Sequence, residues 1–424
     1  MTSFKNLLRK FQASPDEPQS GEKITPAVLE QLFPIRNLSE EIRQSFASEA
    51  FAERLIAGAT LFSIDSEADS AIYLLKGSVS ITDKNGKTYD VDAGSAQSIF
   101  PLCSGHIHTT TATAKTDISI LRVSPSIMAT NNRCEHKTLP IPENLRQNRL
   151  LALFADHYQN HNLEIPTLPQ VALKLRQAIQ HDVNLNEAAE IIHLDPAISA
   201  KLIEVANCPL YLTLIPARNC FDAIKRIGLN ATRSLVTALS LKQIFNTRSP
   251  LVKTRMKTLW QQSLYLSALS HVLASTSQQQ NPEDALLAGL ISDIGAIPFL
   301  SFIANLPADF INEYEIEQAL PVVIGPVGTT VLKEWQFAEE FVHVALNSRD
   351  WYQNDNRTLS LTDVVVLSRL HATIGQKSGL ELPMIHSIPA ASKLKNMALS
   401  PENTLGILHD AKTRIHESLS IFNS

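Results

Sequence analysis

Hydrophobic positions change period along the chain. Over residues 25–58 they recur at helical spacing, with Val28, Leu29, Leu32 and Phe33 before Pro34, then Ile42, Phe46 and Phe51. From about residue 59 the period falls to two. Ser78-Val79-Ser80-Ile81-Thr82 alternates, Asn85-Gly86 is a hairpin-turn signal, and Tyr89 and Val91 resume the alternation. Thr109 to Ala114 is β-branched and small, and Ile118 to Val123 reads as a further strand. Short strands separated by turn signals predict a β-sandwich or barrel. Residues 129–148 are polar and Pro-containing and mark the main boundary. Beyond 149 the pattern is helical. Leu173, Leu175, Ile179 and Leu185 share one stretch and its exit. Asp195-Pro196 is a helix start, because Asp caps free N–H groups and Pro fits the first turn. Apolar helices are predicted through 221–245, 256–275, 283–304, 323–347 and 361–373, and Ser400-Pro401 begins a last one. The expected class is α+β multidomain: a 1–24 tail, a β domain over 25–130, a 131–148 linker and an all-α bundle over 149–424.

Composition narrows the classes. The 424 residues are 44% hydrophobic and 19% charged, enough to bury real cores. Cys103, Cys134, Cys208 and Cys220 lie far apart with no CxxC pair, which excludes a disulfide scaffold and suits a reducing cytoplasm. With 14 glycines there is neither GxGxxG nor GxxxxGK. Met1 to Ala13 is too polar for a secretory signal, although Phe4, Leu7, Leu8 and Phe11 fall on one helical face beside Lys5, Arg9 and Lys10. Leu286 to Leu306 has the length of a membrane span but carries Asp293 near its centre and Pro298 behind it, so it reads as a buried core helix with a break. The expectation is a cytoplasmic chain with no integral membrane segment.

The net charge of −5 hides two opposed stretches. Residues 201–260 hold ten Lys/Arg against Glu204 and Asp222, a local +8, whereas 281–350 hold eleven acids against Lys333 and Arg349, a local −9. The sharp reading is a basic docking face, with Lys242, Lys253, Arg255 and Lys257 as its members. The plain reading, which we favour, is solvated helix faces or mutual neutralisation. Few aromatics interleave the basic residues, so nucleic-acid binding is not expected.

The β-rich segment resembles a cyclic-nucleotide-binding-type domain over about residues 25–130. The likeness is carried by Ile72-Tyr73-Leu74-Leu75-Lys76-Gly77-Ser78-Val79, the Asn85-Gly86 hairpin, Ala93-Gly94, and Thr116-Asp117 before the last strand. It implies a jelly-roll-like sandwich. Members that bind nucleotide hold the ribose with a Gly-Glu pair and the cyclic phosphate with an Arg, since a guanidinium forks onto phosphate oxygens. Here the Arg position falls on His108 and the Gly-Glu region reads Gln97-Ser98-Ile99. A neutral His does not replace an always-charged fork. The cassette positions Gln97, Ser98 and His108 therefore read as degenerate, and Cys103, His106 and His108 as a polar loop rather than a metal trio.

Residues 155–375 resemble an HDOD domain, a divergent member of the HD phosphohydrolase superfamily. Six pieces occur in the family's order: Ile165-Pro166-Thr167-Leu168-Pro169; Ile192-His193-Leu194-Asp195-Pro196 with Ala206-Asn207 and Tyr211; Ala223-Ile224 with Ile227-Gly228; Leu259-Trp260-Gln261-Gln262-Ser263; Gly289-Leu290-Ile291-Ser292-Asp293-Ile294-Gly295; and Val327-Gly328 with Trp335. An HD hydrolase uses His and Asp ligands to bind divalent metal and activate water. The resemblance places those positions at Gln262, Ser292, Asp293, near Ile324, and at Asn347-Ser348, a poor ligand set. Asp293 is expected to be a buried carboxylate held by Ser292, Gln262 or a backbone amide. His157, His161, His181, His193, His271 and His343 show no HExxH spacing and read as structural or exposed.

Together the resemblances imply a non-enzymatic signal-transduction regulator. It has a degenerate input domain, an HDOD output scaffold and a signalling protein partner, it needs no cofactor or metal, and homodimer formation stays open. Two alternatives remain: a residual metal-dependent phosphodiesterase on a cyclic or cyclic di-nucleotide, and a second-messenger-binding sensor.

Overall fold

The computed structural model describes residues 22–38, 40–103, 107–124, 139–160, 163–180, 183–208, 211, 215–242, 244–245, 247, 249–307, 310–373 and 382–395. The amphipathic start at 4–11, the helix at Ser400-Pro401, and His106, His161 and His181 lie outside them. The chain forms two units. The first draws on residues up to Arg133 and on 351–357 and 378–393; the second holds 134–350, 358–377 and the residues from Leu394 on.

The first unit contains two four-stranded antiparallel sheets. One has the order β1 (Glu22–Lys23), β2 (Phe51–Leu55), β8 (Ile118–Val123), β4 (Ala71–Lys76), and the other β3 (Thr60–Phe62), β7 (Thr111–Ala114), β5 (Ser78–Thr82), β6 (Thr88–Asp92). Inward residues alternate along the strands and meet across the registers: Val79 lies opposite Val91 and Ala114, and Leu74 opposite Ile120. With Leu61, Phe62, Ile72, Ile81, Leu102, Ala112 and Ile118 they form a buried core from both sheets. Gly77 is the single residue between β4 and β5. Its φ is +87°, and a Cβ there would lie 2.4 Å from the Asp117 carbonyl oxygen, so no other residue fits. The predicted hairpin joins β5 and β6, with the Asp83 carboxylate accepting from the Asn85 and Lys87 amides and Gly86 at φ +79°.

The expected helical run over 25–58 is only partly helical. It contains α1 (Pro26–Leu29), a 3-10 turn at Ile35–Asn37 and α2 (Glu40–Glu49), and then Phe51–Leu55 pairs as β2. Phe51-Ala52-Glu53-Arg54-Leu55 lacks period-two alternation, and its strand state comes from pairing with β1 and β8.

The second unit is helical: α3 (Arg149–Asn160), α4 (Gln170–Gln180), α5 (Leu185–His193), α6 (Pro196–Ala206), α7 (Cys220–Ile227), α8 (Leu229–Lys242), α9 (Pro250–Ser277), α10 (Pro282–Ile291), α11 (Ala296–Ala304), α12 (Glu313–Glu334), α13 (Glu339–Asn347) and α14 (Leu361–Thr373). Asp195 caps α6 through the Ala197 and Ile198 amides, with Pro196 at the first position. Three predicted helices are each two. Gly228, at φ +89°, separates α7 from α8. Gln336, at φ +57°, closes α12: its N–H donates to the Lys333 carbonyl and that of Phe337 to the Leu332 carbonyl. The 283–304 helix breaks at 292–295, not at Pro298, which sits in the first turn of α11, where a helix needs no N–H donor. This pair, Pro282–Ala304, is the one stretch among the described residues long and apolar enough to cross a membrane, and 83% of its apolar window is buried inside the protein.

Two glycines let backbone touch backbone in this unit. A Cβ on Gly289 would lie 2.7 Å from Ser267 Cα, so α10 packs directly on α9. A Cβ on Gly295 would lie 2.1 Å from the Ile324 carbonyl oxygen and 2.4 Å from the Gly328 nitrogen, both on α12. Gly295→Ala is expected to lower stability by about 1–3 kcal/mol or more, the range of overpacked cores. Urea denaturation of the variant checks it, and an unchanged midpoint contradicts it.

Candidate functional site

The turn between α10 and α11 carries Ser292 and Asp293. Ser292 closes α10, and its hydroxyl donates to the Gly289 carbonyl oxygen at 2.9 Å. Asp293 follows in the turn, and its side chain is only 5% exposed. Among the described residues neither Ser292, nor Gln262, nor a backbone amide is a hydrogen-bond partner of its carboxylate. Two arginines are. Arg349, just past the end of α13, donates from Nε to Oδ1 and from Nη2 to Oδ2, both at 3.0 Å. Arg369, on α14, donates from Nη2 to Oδ1 at 3.0 Å and from Nη1 to Oδ2 at 3.1 Å. Its fork continues from Nη2 to the Ser292 hydroxyl and from Nε to the Ser348 carbonyl oxygen. Each carboxylate oxygen thus accepts from both guanidinium groups, the strong charge-assisted geometry.

Burial alone pushes the Asp293 carboxyl up. The charges of Arg349 and then Arg369 overcome it, and with the hydrogen bonds they hold the group well below the usual carboxylate range. Burial draws the Arg369 guanidinium below its ordinary value, and Asp293 opposes that shift. Asp293, Arg349 and Arg369 together carry a formal charge of +1.

Of the remaining positions, Ser348 joins the cluster through its carbonyl oxygen, which accepts from Arg369. Asn347 is buried at the end of α13. Its amide donates to His343 Nε2 at 2.9 Å, so the imidazole proton sits on Nδ1 and is given to Thr362 Oγ1 at 3.1 Å. This is the i, i+4 spacing of one helix face. Asn347 Oδ1 and the Ser348 hydroxyl are buried without a hydrogen-bond partner among the described residues. Gln262 is exposed on α9, and Ile324 is buried in α12. On α14, His371 is 3% exposed, and both ring nitrogens lack a partner among the described residues. Burial lowers it to about 4.

These residues do not fit a divalent metal. No group of three or more His, Cys, Asp or Glu that could hold one occurs among the described residues. The lone carboxylate is already engaged by two cations, which repel a third. Sequence reading had no local signal for the arginines, which lie 56 and 76 residues beyond Asp293.

In the first unit His108 is buried and stacks on Phe62, with ring centroids 4.2 Å apart and planes at 10°. Burial lowers its pKa. Gln97 is exposed. The buried Ser98 hydroxyl donates to the Ser95 carbonyl and accepts from the Gly94 amide, so it closes a local turn. Cys103 is buried, and its thiol is pushed up to about 12.

Of the basic-face residues, Arg255 is paired across the unit with Glu313 and Glu317. Arg233 pairs with Asp284 at 3.1 Å, and Arg226 donates to the Ala206 carbonyl and Asn207 Oδ1. The oppositely charged stretches therefore neutralise each other in part. Lys253 and Lys257 remain exposed, and Lys242 is half-buried.

Comparison with known proteins bears chiefly on the helical part. The HDOD domain family matches residues 165–350. A candidate metal-dependent phosphohydrolase of Shewanella amazonensis SB2B is 30% identical in sequence, with a TM-score of 0.55 over 64% of this chain and 97% of that one. A cyclic nucleotide-binding-like protein of Brucella abortus bv. 1 str. 9-941 is 21% identical over 24% of this chain and 91% of that one, with a TM-score of 0.20. An uncharacterized protein of Treponema pallidum (strain Nichols) is 22% identical over 219 residues, 48% of this chain, and the chain spans 41% of that protein's length. The second unit is thus a helical domain of HD type. Residues 165–350 are an HDOD domain.

Asp293→Asn removes the counter-charge of the buried Arg369 guanidinium and of the partly exposed Arg349, and is expected to cost on the order of 3–5 kcal/mol, with Arg369→Lys costing less than Arg369→Met. Thermal unfolding of the three variants checks this, and equal midpoints contradict it. A second expectation concerns pH. The unfolded chain takes a proton on His371 near the ordinary histidine value, whereas the folded chain resists it until about 4. Its contribution is therefore present above about 6.5 and lost as pH falls towards 4, on the order of 3 kcal/mol at full titration. Unfolding midpoints measured across this window should fall less steeply in His371→Leu than in the wild type.

Proposed function

We propose that the chain is a non-enzymatic signal-transduction regulator. The β unit receives the input, and the HDOD domain presents a scaffold to a cytoplasmic signalling protein. The observation that carries this reading is the engagement of Asp293 by two guanidinium groups. Metal-dependent phosphohydrolysis needs a cation to polarise phosphate and activate water. At the position the family gives to that cation, this chain supplies two organic cations and, among the described residues, no ligand cage. The fixed charges stabilise the fold and leave nothing to turn over. The buried His108, stacked on Phe62, supports an input domain that has lost ordinary cyclic-nucleotide binding.

A second reading, residual phosphodiesterase activity, is favoured by one observation: the Shewanella amazonensis relative, 30% identical, is described as a candidate metal-dependent phosphohydrolase. One preparation separates the two. The purified full chain, incubated with Mn, Fe or Zn and desalted, is expected to retain no stoichiometric metal and to hydrolyse no member of a phosphodiester panel. Bound metal together with hydrolysis that Asp293→Ala abolishes overturns the proposal. The same protein is expected to show no thermal shift with cAMP or cGMP, and to capture a reproducible protein partner from its native cell.

A further inference from the structure

The sequence contains a single Asn-Gly pair, Asn85-Gly86, and the fold puts it at the tip of the turn between β5 and β6. Residues 84–88 are all exposed. The Asp83 N–H donates to the Lys87 carbonyl at 3.0 Å, and the Gly86 N–H to the Asp83 carbonyl at 3.1 Å. Gly86 takes the left-handed position of such a hairpin loop, at φ +79°, and a Cβ on it would meet nothing within 4 Å. The Asn85 main-chain N–H is held by the Asp83 carboxylate at 2.8 Å. Its side-chain amide has no hydrogen-bond partner among the described residues. Lys84 and Lys87 flank the pair.

An asparagine side chain is open to attack by the main-chain nitrogen of the residue after it. The bond from Gly86 N to Asn85 Cγ forms, the bond from Cγ to Nδ2 breaks, and Nδ2 leaves as ammonia with the proton that Gly86 N gives up. The product is a five-membered cyclic imide. Water then opens it. Cleavage at Cγ leaves aspartate, and cleavage at the main-chain carbonyl leaves isoaspartate, whose backbone runs through Cβ and Cγ. Glycine favours ring closure because no Cβ obstructs it and its backbone is permissive. Two lysines beside the pair favour the deprotonated amide that attacks. The bond from Gly86 N to Asp83 must open first, and an exposed turn tip opens locally at low cost. Asn347, which precedes Ser348, makes the contrast: it is 1% exposed at a helix end, and its amide is held by His343.

We propose that Asn85 is a site of spontaneous covalent modification, converting through the cyclic imide to aspartate and isoaspartate, and that this chemistry ages the β unit from its hairpin tip. Both products add a negative charge close to Asp83. Isoaspartate also lengthens the main chain between the Asn85 and Lys87 amides, which the Asp83 carboxylate now holds together at 2.8 and 2.9 Å. The damage falls on β6, an edge strand that pairs only with β5, whereas β5 and β7 stay paired with each other. The inference goes beyond the regulatory reading and does not rest on it.

The full-length chain, incubated warm in neutral and alkaline buffers and followed by peptide mapping, tests it. Asn85 is expected to convert at least about tenfold faster than any other described asparagine, giving both acid products. The rate is expected to rise in proportion to hydroxide. Asn85→Gln, which would need a larger ring, is expected to keep its charge under the same treatment. In the converted chain, separated by its extra charge, amide exchange over 87–92 is expected to rise while β7 and β8 keep their protection. If Asn85 converts in the urea-unfolded chain but no faster than the other asparagines in the folded one, the turn protects it and the proposal is overturned. Conversion that leaves exchange over 87–92 unchanged overturns the ageing of the unit.

Discussion

A carboxylate taken out of water stays ionised only if cations come with it. In this protein that requirement ties three distant parts of the second unit together. Asp293 sits in the turn between two core helices, Arg349 follows α13, and Arg369 projects from α14. The turn can occupy this place because Gly295 admits the backbone of α12 where any side chain would collide. The fork of Arg369 also reaches the Ser292 hydroxyl and the Ser348 carbonyl, so the end of α10 and the end of α13 are registered by one side chain. Helix packing and charge pairing are thus one constraint.

The same logic extends more weakly to the surface. Arg233 and Arg255, from the basic stretch, meet Asp284, Glu313 and Glu317 from the acidic one. Such partly exposed pairs are each worth about 0–1 kcal/mol. Their effect is to lower the field that two blocks of like charge would otherwise project, which leaves Lys253 and Lys257 as the residual positive spots.

Much of this architecture was legible in the residues. Alternation named β5 and the hairpin after it, Asp195-Pro196 located the start of α6, and 361–373 is a helix over those very residues. What escaped reading escaped for physical reasons. Strand β2 has no pattern of its own and depends on its neighbours. The end of α12 rests on a left-handed Gln336, a conformation residue identity does not announce. Asp293 was recognisable as a buried carboxylate, but its partners were not. Charge arithmetic counted Arg349 as one of two cations in an acidic stretch, and only the fold brings it to the carboxylate. The contribution of 351–357 and 382–393 to the β unit is likewise a product of topology, invisible to any window of sequence.

The match to the HDOD family ends at residue 350, and Arg369 lies beyond it. The boundary of resemblance and the boundary of electrostatic closure therefore differ. A chain ended at the family's edge would keep Asp293 and Arg349 but lose the helix that supplies half of the hydrogen bonds to the carboxylate. Residues 165–350 alone do not close the charge network, so α14 has to travel with the domain in any dissection or transplant of this protein.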